Sequence, residues 1–258
     1  MSLRTEPVID ILMYHSISSA EGPTAISLNI FRDQMQAIAD VGVPVITLDD
    51  LLAARAGRMV LPDHSIVITF DDGFKDFMDN AMPVLDQHKF AVCNYLPTGC
   101  IGGVENWLGC NSPPRPLMGW DEIEDLSRQG VHFGSHTISH PNLNSLNSID
   151  LLDEILQSKK DLEAKLGMPI LHFAPPYGVA DHLARTTVER MYKTSVGTRF
   201  ERATLESDIV DLPRIEMFYY TNLRNWIEHL KGRGAVYMRR RKTMRQAREV
   251  MSRPWERA

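Results

Sequence analysis

This sequence of 258 residues contains no apolar run as long as the ~18 residues that a membrane-spanning helix needs. Residues 1–7 lack a basic patch followed by an apolar stretch, so the N-terminus does not resemble a secretory signal. Both absences weigh against an integral membrane protein or an exported one. We therefore expect a cytoplasmic protein, with contact to a membrane surface as an open addition.

Cysteine is also scarce, with only Cys93, Cys100 and Cys110 in the chain. An odd number cannot pair completely, and three cysteines in a chain of this length do not form the disulfide framework of a small secreted domain. The separation of Cys100 and Cys110 is longer than the spacing of a zinc-binding pair. We predict three reduced thiols.

Positive charge is outnumbered by negative charge except at the C-terminus. The net charge of the whole chain is −5, yet residues 231–258 hold ten Lys and Arg against two Glu. Such a tail can meet anionic lipid, nucleic acid or an acidic protein, or it can form the solvated face of a helix. We predict a solvated helix and no nucleic-acid partner, and peripheral membrane contact is the remaining alternative.

Short apolar runs alternate with longer stretches of helical periodicity through most of the chain. The predicted strands lie at 9–15, 43–47, 66–68, 91–96, 131–135, 171–174, 194–196 and 211–218. The predicted helices lie at 31–39, 48–56, 74–88, 121–128, 148–166, 179–191 and 222–230. This alternation predicts an α/β fold, an irregular (β/α) barrel of about seven parallel strands.

No linker or low-complexity segment divides the chain. We therefore predict one barrel domain over residues 1–230 and a basic, helical C-terminal extension over residues 231–258. The stretch at 97–118 is rich in Gly and Pro and fits neither period. Long irregular loops in compact domains are commonly functional or mobile, and we expect one of these for this loop.

Two adjacent carboxylates, Asp71 and Asp72, follow a predicted strand, and α/β folds bind ligands at the carboxyl ends of their strands. Neighbouring carboxylates repel each other unless a cation lies between them, although such a pair also occurs in ordinary turns. His136 and His140, after another predicted strand, favour the cation. One carboxylate and two imidazoles form a metal site with open positions, and the other carboxylate is free to accept a proton.

Two short motifs of the sequence resemble those of a known family. Thr-Phe-Asp-Asp-Gly at 69–73 and Ser-His-Thr-Ile-Ser-His at 135–140 resemble the first two motifs of the NodB-homology polysaccharide deacetylases, carbohydrate esterase family four. The resemblance extends over residues 11–216. It implies an irregular (β/α) barrel, in agreement with the alternation of elements.

The resemblance also implies roles for these residues. In the family the first aspartate is the catalytic base and the second is a metal ligand, which makes Asp71 the base. Asp72, His136 and His140 would then bind a divalent cation, Zn²⁺ first, with Co²⁺ or Ni²⁺ as alternatives.

The third family motif, Arg-x-Pro followed by an aromatic residue, is only partly present. Pro176 and Tyr177 match it, but Ala174 stands where the family has arginine. In the family that arginine orients the base, and the backbone N–H of the aromatic residue helps to hold the oxyanion. We expect the Tyr177 N–H to keep this part. Arg214, near the end of a later strand, is our candidate partner for Asp71, and a surface ion pair is its alternative.

The general-acid histidine of the family has no evident counterpart near the C-terminus, where we expect His229 on the surface of a helix. Residues 13–16, Met-Tyr-His-Ser, instead resemble a feature of the deacetylases that act on poly-N-acetylglucosamine, in which an early histidine takes this place. The resemblance makes His15 the general acid. We expect His132 and His172 to be structural or to support the metal ligands.

Together these assignments predict a metal-dependent hydrolase that removes an N-acetyl group from an amino sugar. Its substrate would be a polysaccharide or other N-acetylated glycan, or a lipid- or nucleotide-linked glycan precursor, and Trp107 would offer a stacking face to the sugar. One alternative is a deformylase or another hydrolase of linear or cyclic amides on the same fold. Another is a sugar-binding protein that keeps the metal but has lost catalysis, as the missing arginine at position 174 suggests.

Overall fold

The computed structural model of the chain describes residues 6–178 and 180–252. The strands in these residues are β1 (Val8–Tyr14), β2 (Ser16–Ile17), β3 (Ala25–Ile26), β4 (His64–Phe70), β5 (Val92–Leu96), β6 (His132–Ser135), β7 (His172–Phe173), β8 (Thr194–Phe200), β9 (Ala203–Thr204) and β10 (Leu212–Glu216). The α-helices are α1 (Leu28–Val41), α2 (Leu48–Arg55), α3 (Met82–His88), α4 (Trp120–Arg128), α5 (Ser148–Leu166), α6 (His182–Met191), α7 (Leu223–Leu230) and α8 (Ala235–Ser252).

Seven parallel strands form a closed barrel. Their order is β1-β4-β5-β6-β7-β8-β10, and β10 pairs back onto β1 with Ile215 opposite Leu12. Strand β9 runs antiparallel to the start of β1, beside Val8 and Ile9. The predicted irregular (β/α) barrel of about seven parallel strands is therefore confirmed.

The hydrophobic core has two layers, because successive side chains of a strand point to opposite faces. Ile9 and Ile11 of β1 face the barrel interior, where they belong to one buried cluster with Tyr95 of β5. Leu12 faces outward and packs in a second cluster that includes Phe31 of α1. A residue that follows a strand on the inward face is thus directed towards the mouth of the barrel.

Helix boundaries follow from capping residues that the apolar periodicity alone did not locate. Helix α1 begins earlier than the predicted 31–39 because the Ser27 side chain accepts a hydrogen bond from the Ile30 N–H. It ends where Gly42 takes a left-handed conformation with φ 76° and donates to two carbonyls of the last turn.

Two predicted elements differ from the structure in type. Residues 43–47 contain no strand of their own, and only Val45 makes an isolated bridge, to Ile66. The predicted helix at 74–88 consists of a π-helical turn, Phe77–Ala81, followed by α3. Pro83 lies in the first turn of α3, near the point where the two helical segments join, and its missing N–H has no helical partner there. Residue 179, the predicted start of the helix at 179–191, lies outside the described residues.

The expectation that His229 lies on the surface is wrong. His229 is 2% exposed, and its Nε2 lies 2.8 Å from Oδ2 of Asp10, a fully buried carboxylate of β1. Asp10 also contacts His64 at 2.7 Å and Arg202 at 2.8 Å. Helical periodicity could not reveal this position, because its partner is 219 residues away in the chain.

The basic C-terminal segment forms α8, whose Tyr237 and Met238 pack against the outer core cluster. The division of the chain at residue 230 stays a prediction, and residues 253–258 lie outside the described part. Cys93, Cys100 and Cys110 are free thiols. Among the described helices, none combines the length and the apolarity required to cross a membrane.

Candidate functional site

Asp71 and Asp72 directly follow β4, at the mouth of the barrel, and each is 4% exposed. Asp72 has the left-handed φ of 76°, which is uncommon for a residue other than glycine and turns its side chain away from that of Asp71. Gly73 continues the turn at φ 69°, and a Cβ there would lie 2.7 Å from Cδ2 of Leu96. The sequence Asp-Asp-Gly therefore builds a tight turn that gives its two carboxylates different partners.

Asp72 faces two histidines. Its Oδ1 lies 3.3 Å from Nε2 of His136 and 3.2 Å from Nε2 of His140, and all three residues are buried. This oxygen makes no hydrogen bond in the described structure. Ligand atoms about 3.3 Å apart suit a tetrahedral Zn²⁺ with bonds of about 2.0–2.1 Å, so an unsatisfied carboxylate oxygen between two imidazole nitrogens fits a cation.

The turn after β6 brings both histidines to this position. Thr137 and His140 take left-handed φ values of 69° and 59°. Glu154 of α5 accepts hydrogen bonds from the N–H groups of Ile138 and Ser139, at 2.7 and 3.0 Å. The turn is therefore fixed by a carboxylate that comes from α5, the longest of the described helices.

One histidine tautomer is set by the backbone. Nδ1 of His136 lies 2.6 Å from the carbonyl oxygen of Ala174, which can only accept, so Nδ1 carries the proton. The lone pair of Nε2 is then directed at the carboxylate of Asp72. Such a backbone acceptor behind a histidine is typical of metal ligands.

Asp71 is paired with the guanidinium of Arg214 through two parallel hydrogen bonds, which together form the Arg214 fork. Nη1 and Nη2 donate to the two carboxylate oxygens at 2.7 Å each, and Nε donates to the Gly197 carbonyl at 2.8 Å. Burial alone would raise the pKa of Asp71, but the charge and the hydrogen bonds of Arg214 outweigh it and hold that pKa below its ordinary value. Of the two expectations for Arg214, the position beside Asp71 is the observed one, and a surface ion pair is not.

His15 follows β1, the strand that lies between β4 and β10 in the barrel. Its Nε2 lies 3.9 Å from Oδ2 of Asp71, too far for a hydrogen bond, and its side chain is 16% exposed. The next two residues are fixed by Asp76, which accepts from the Ser16 hydroxyl at 2.5 Å and from the Ile17 N–H at 2.8 Å. The structure thus brings His15 to the same mouth as the carboxylates.

Tyr177 lies in a strained turn beside the metal group. Its φ and ψ are 59° and 3°, and the residue is 39% exposed. The ring meets the ring of His140 edge to face, with 5.0 Å between centroids. Its hydroxyl lies 3.5 Å from the carbonyl oxygen of Leu108, so the turn touches the long loop between β5 and α4.

Trp107 on that loop lies against the site, with its ring stacked on His140 at 4.3 Å between centroids. A buried ion pair closes the base of the loop, where Nη2 of Arg115 donates to Oε2 of Glu105 at 2.7 Å. Sequence reasoning missed Glu105, Arg115 and Asp76. Their charges were visible, but no periodicity or motif marks which charged residues of an irregular region meet.

Two other predicted residues lie elsewhere. His132 and His172 stand at the starts of β6 and β7, the end of the barrel away from the carboxylates. Their ring nitrogens lie 3.8 and 3.6 Å from the carboxylate of Asp49. Of the two expectations for this pair, a structural place is therefore the observed one, and neither histidine supports the metal ligands.

Comparison with known proteins places this arrangement in a family. Residues 59–196, just over half of the chain, match the family model described as polysaccharide deacetylase. The Bacillus subtilis protein YxkH, a putative polysaccharide deacetylase by name, is 23% identical over 81% of this chain and 71% of its own length. A Staphylococcus aureus poly-beta-1,6-N-acetyl-D-glucosamine N-deacetylase is 23% identical over 60% of this chain, and the match covers about half, 54%, of that protein.

A solved structure shows the same fold. IcaB from Ammonifex degensii superimposes with a TM-score of 0.72, covering 87% of this chain and 98% of that one at 21% identity. The region that matches the family model contains both the acidic and the histidine motif, which lie at 69–73 and 135–140. The chain therefore belongs to the polysaccharide deacetylase family.

Proposed function

We propose that this chain is a metal-dependent hydrolase that removes N-acetyl groups from an amino-sugar polymer. The proposal rests on one observation: two adjacent carboxylates have different partners. Asp71 is paired with Arg214, and Asp72 lies between two histidines. Hydrolysis of an amide by water needs such a base, kept ionised beside a metal group. Membership of the family supplies the reaction class, and the Staphylococcus aureus relative supplies the substrate class, a polymer of N-acetylglucosamine.

Asp72, His136 and His140 would hold the cation. When bound, a divalent cation polarises the acetamide carbonyl and makes a water molecule more acidic. Two imidazoles and a carboxylate are the donor set of hydrolytic zinc sites, so we propose Zn²⁺. Co²⁺ and Ni²⁺ stay as alternatives, because the same ligands accept them.

The protein's own groups move the protons. Asp71 accepts a proton from the attacking water as its oxygen forms a bond to the acetamide carbon, and the Tyr177 N–H donates to the carbonyl oxygen as negative charge develops there. His15 gives a proton to the amine nitrogen as the carbon–nitrogen bond breaks. One water is consumed, and acetate and a free amino sugar are formed.

The variant Asp71→Asn tests this assignment. We expect a loss of turnover of at least about 10²-fold, the share of a general base, with an unchanged content of bound metal because Asp72 and both histidines stay. Acetate release from N-acetylglucosamine oligomers and metal analysis of the purified variant measure the two effects. Near-normal acetate release by Asp71→Asn would show that Asp71 is not the base.

Two other functions from the same site can be separated in one screen. The deformylase alternative predicts release of formate from an N-formylated sugar, and the non-catalytic alternative predicts binding of oligomers without release of acetate. The Arg214 fork weighs against the second, because the arginine missing at position 174 was its main support. The screen uses N-acetylglucosamine oligomers, N-formylated sugars and nucleotide-linked sugars with added Zn²⁺, Co²⁺ or Ni²⁺.

We also keep the proposal that the basic C-terminus contacts a membrane. Helix α8 packs beside the segment that follows β10, where the Tyr237 hydroxyl donates to the Tyr219 carbonyl. Arg239 and Arg240 on its outer face are exposed, together with Met244. Exposed cations beside an apolar side chain suit an anionic lipid surface, which would present a lipid-linked glycan to the site.

Flotation with vesicles of mixed neutral and anionic lipid tests this contact. We expect the combined variant Arg239→Gln, Arg240→Gln and Lys242→Gln to lose association with anionic vesicles, because it removes three exposed charges of α8. Equal flotation of this variant and the unchanged chain would contradict membrane contact through this helix. The prediction would then be a cytoplasmic protein that does not bind membranes through α8.

The control for flotation removes three exposed charges elsewhere on the surface. Arg58, Arg128 and Arg190 lie outside α8 and are all exposed. Their combined replacement by glutamine changes the net charge by the same amount, and it should float as the unchanged chain does.

A further inference from the structure

The two metal-site histidines differ in what holds their rings. His136 donates from Nδ1 to the carbonyl of Ala174 at 2.6 Å. Nδ1 of His140 is buried and has no hydrogen-bond partner among the described residues. Metal-binding histidines almost always donate their second ring N–H to an acceptor that fixes the ring. His140 therefore needs another restraint.

Aromatic rings supply that restraint. Trp107 is stacked on the imidazole of His140, with 4.3 Å between centroids and 27° between the planes. Tyr177 meets the same imidazole edge to face at 5.0 Å and 74°. A ring stacked on one side and met by an edge on another has little freedom to rotate, so its Nε2 stays directed at Asp72.

Trp107 is itself held in place. Its ring centroid lies 6.3 Å from that of Phe74, a residue that is 1% exposed. The guanidinium of Arg115 covers the Phe74 ring at 4.0 Å and pairs with Glu105, which is fully buried and lies two residues before Trp107. Leu108, the residue after Trp107, is 88% exposed. Of Trp107 and Leu108, only Trp107 therefore directs its side chain towards the site. The loop therefore presents the indole to the metal-binding imidazole from a fixed base.

We propose that Trp107 is a positioning residue for the metal: it stacks on the imidazole of His140 and holds it in its binding orientation, where the described residues offer Nδ1 no hydrogen-bond acceptor. The proposal rests on the proposed function only in that Asp72, His136 and His140 hold the cation. It differs from the sequence-based expectation that Trp107 is a stacking face for the sugar. Loss of a residue that orients a metal-binding histidine typically weakens metal affinity about 10- to 100-fold.

The test measures metal affinity without turnover. The full chain is freed of metal with a chelator, and its dissociation constant for Zn²⁺ is measured by competition with a chromophoric chelator. We expect Trp107→Ala to bind Zn²⁺ about 10- to 100-fold more weakly and Trp107→Phe, which keeps a flat ring, to retain most of the affinity. Trp107→Leu keeps apolar volume without a flat ring and should behave like Trp107→Ala.

Leu108→Ala is the matched control, because it shortens the exposed neighbouring side chain of the same loop and should leave the Zn²⁺ affinity unchanged. The absorption spectrum of bound Co²⁺ gives a second readout, and it should change in Trp107→Leu but not in Leu108→Ala. Thermal unfolding of each metal-free variant separates a folded protein with a weakened site from an unfolded one.

Wild-type Zn²⁺ affinity and an unchanged Co²⁺ spectrum in both Trp107→Ala and Trp107→Leu would overturn the proposal. A rise in KM for N-acetylglucosamine oligomers with unchanged metal affinity would do the same, because it would make Trp107 a sugar-stacking wall. Failure of the proposed function gives a different pattern: the unchanged chain would release no acetate from N-acetylglucosamine oligomers, whatever the Zn²⁺ affinity of the Trp107 variants.

Discussion

At the scale of single residues, the site depends on how two adjacent aspartates are kept apart. Asp72 takes a left-handed backbone conformation and meets the histidines, whereas Asp71 meets Arg214, 143 residues further along the chain. The arginine that pairs with Asp71 thus comes from a different part of the chain than the family motif indicates. The position that carries arginine in the family is an alanine here, and a guanidinium from β10 reaches the same carboxylate.

The fork of Arg214 gives the first prediction at this scale. Arg214→Lys keeps the positive charge but cannot bind both oxygens of Asp71, because an ammonium is a single point charge. We expect kcat to fall by about 10²-fold with KM and metal content little changed, since the base loses its orientation and the ligands do not. Steady-state kinetics of acetate release and metal analysis provide the measurement.

Arg199→Lys is the matched control, because Arg199 is an exposed arginine of β8 that pairs with Asp211. It should leave kcat unchanged. Equal kcat values for Arg214→Lys and the unchanged chain would contradict an orienting role for the fork.

The metal group could be predicted from the sequence, whereas its surroundings could not. Asp72, His136 and His140 each lie in a short motif, so local spacing carries their chemistry. Arg214 was found only because Ala174 left a role open. The contacts of Asp76 were not predicted, because its partners lie 60 and 59 residues earlier in the chain and nothing in the local pattern indicates the contact.

At the scale of elements, the short segment after β1 determines where His15 lies. Asp76, just before the π-helical turn, accepts from Ser16 and Ile17, and the Asn80 side chain donates to the Ile17 carbonyl at 2.7 Å. The segment that follows the acidic motif thus fixes the segment that carries the proposed general acid. These three contacts therefore connect the segment of the proposed base to the segment of the proposed acid.

Breaking these contacts should affect the acid and spare the metal. In Asp76→Ala the segment after His15 loses both hydrogen bonds to the carboxylate, and a displacement of about 1 Å can lower kcat by about 10²-fold. Metal content should not change, because the ligands lie on other segments. The alkaline limb of the pH profile of kcat should also move, since it reports the group that donates the proton.

Asp79→Ala, which changes an exposed aspartate in the adjoining π-helical turn, serves as the control and should keep both kcat and the pH profile. The variant Asp76→Asn keeps one oxygen acceptor, so its kcat should lie between those of Asp76→Ala and Asp79→Ala. A pH profile of Asp76→Ala that is identical to the wild-type profile would show that these contacts do not act through His15.

At the scale of the whole molecule, the alternation of strands and helices predicted the barrel, but the contacts that close it could not be predicted. Closure joins β10 to β1, elements from opposite ends of the chain. Beside this seam, Asp10 of β1 binds His64 at the start of β4, Arg202 before β9 and His229 of α7. Sequence patterns do not show which side chains of distant elements meet, and this is why His229 was expected on the surface.

This buried network makes the stability of the fold depend on pH. Burial alone would raise the pKa of Asp10, but hydrogen bonds from His229 and His64, with the charges of His229 and Arg202, hold it well below the ordinary value. A carboxylate with a lowered folded-state pKa stabilises the fold fully above its unfolded pKa of about 3.9. That contribution is lost as the pH falls from there through the folded-state pKa.

Asp10→Asn should therefore cost about 3–5 kcal/mol of unfolding free energy at neutral pH, because it removes one partner of a buried ionic network. The difference from the wild-type chain should narrow as the pH falls below about 4, since the wild-type chain alone loses the carboxylate contribution there. Urea unfolding of both proteins from pH 7 down to pH 3 measures the difference. Asp33→Asn, which changes an exposed aspartate of α1, should follow the wild-type curve. A difference between Asp10→Asn and wild type that stays constant with pH would mean that the network does not lower the folded-state pKa of Asp10 below its unfolded value.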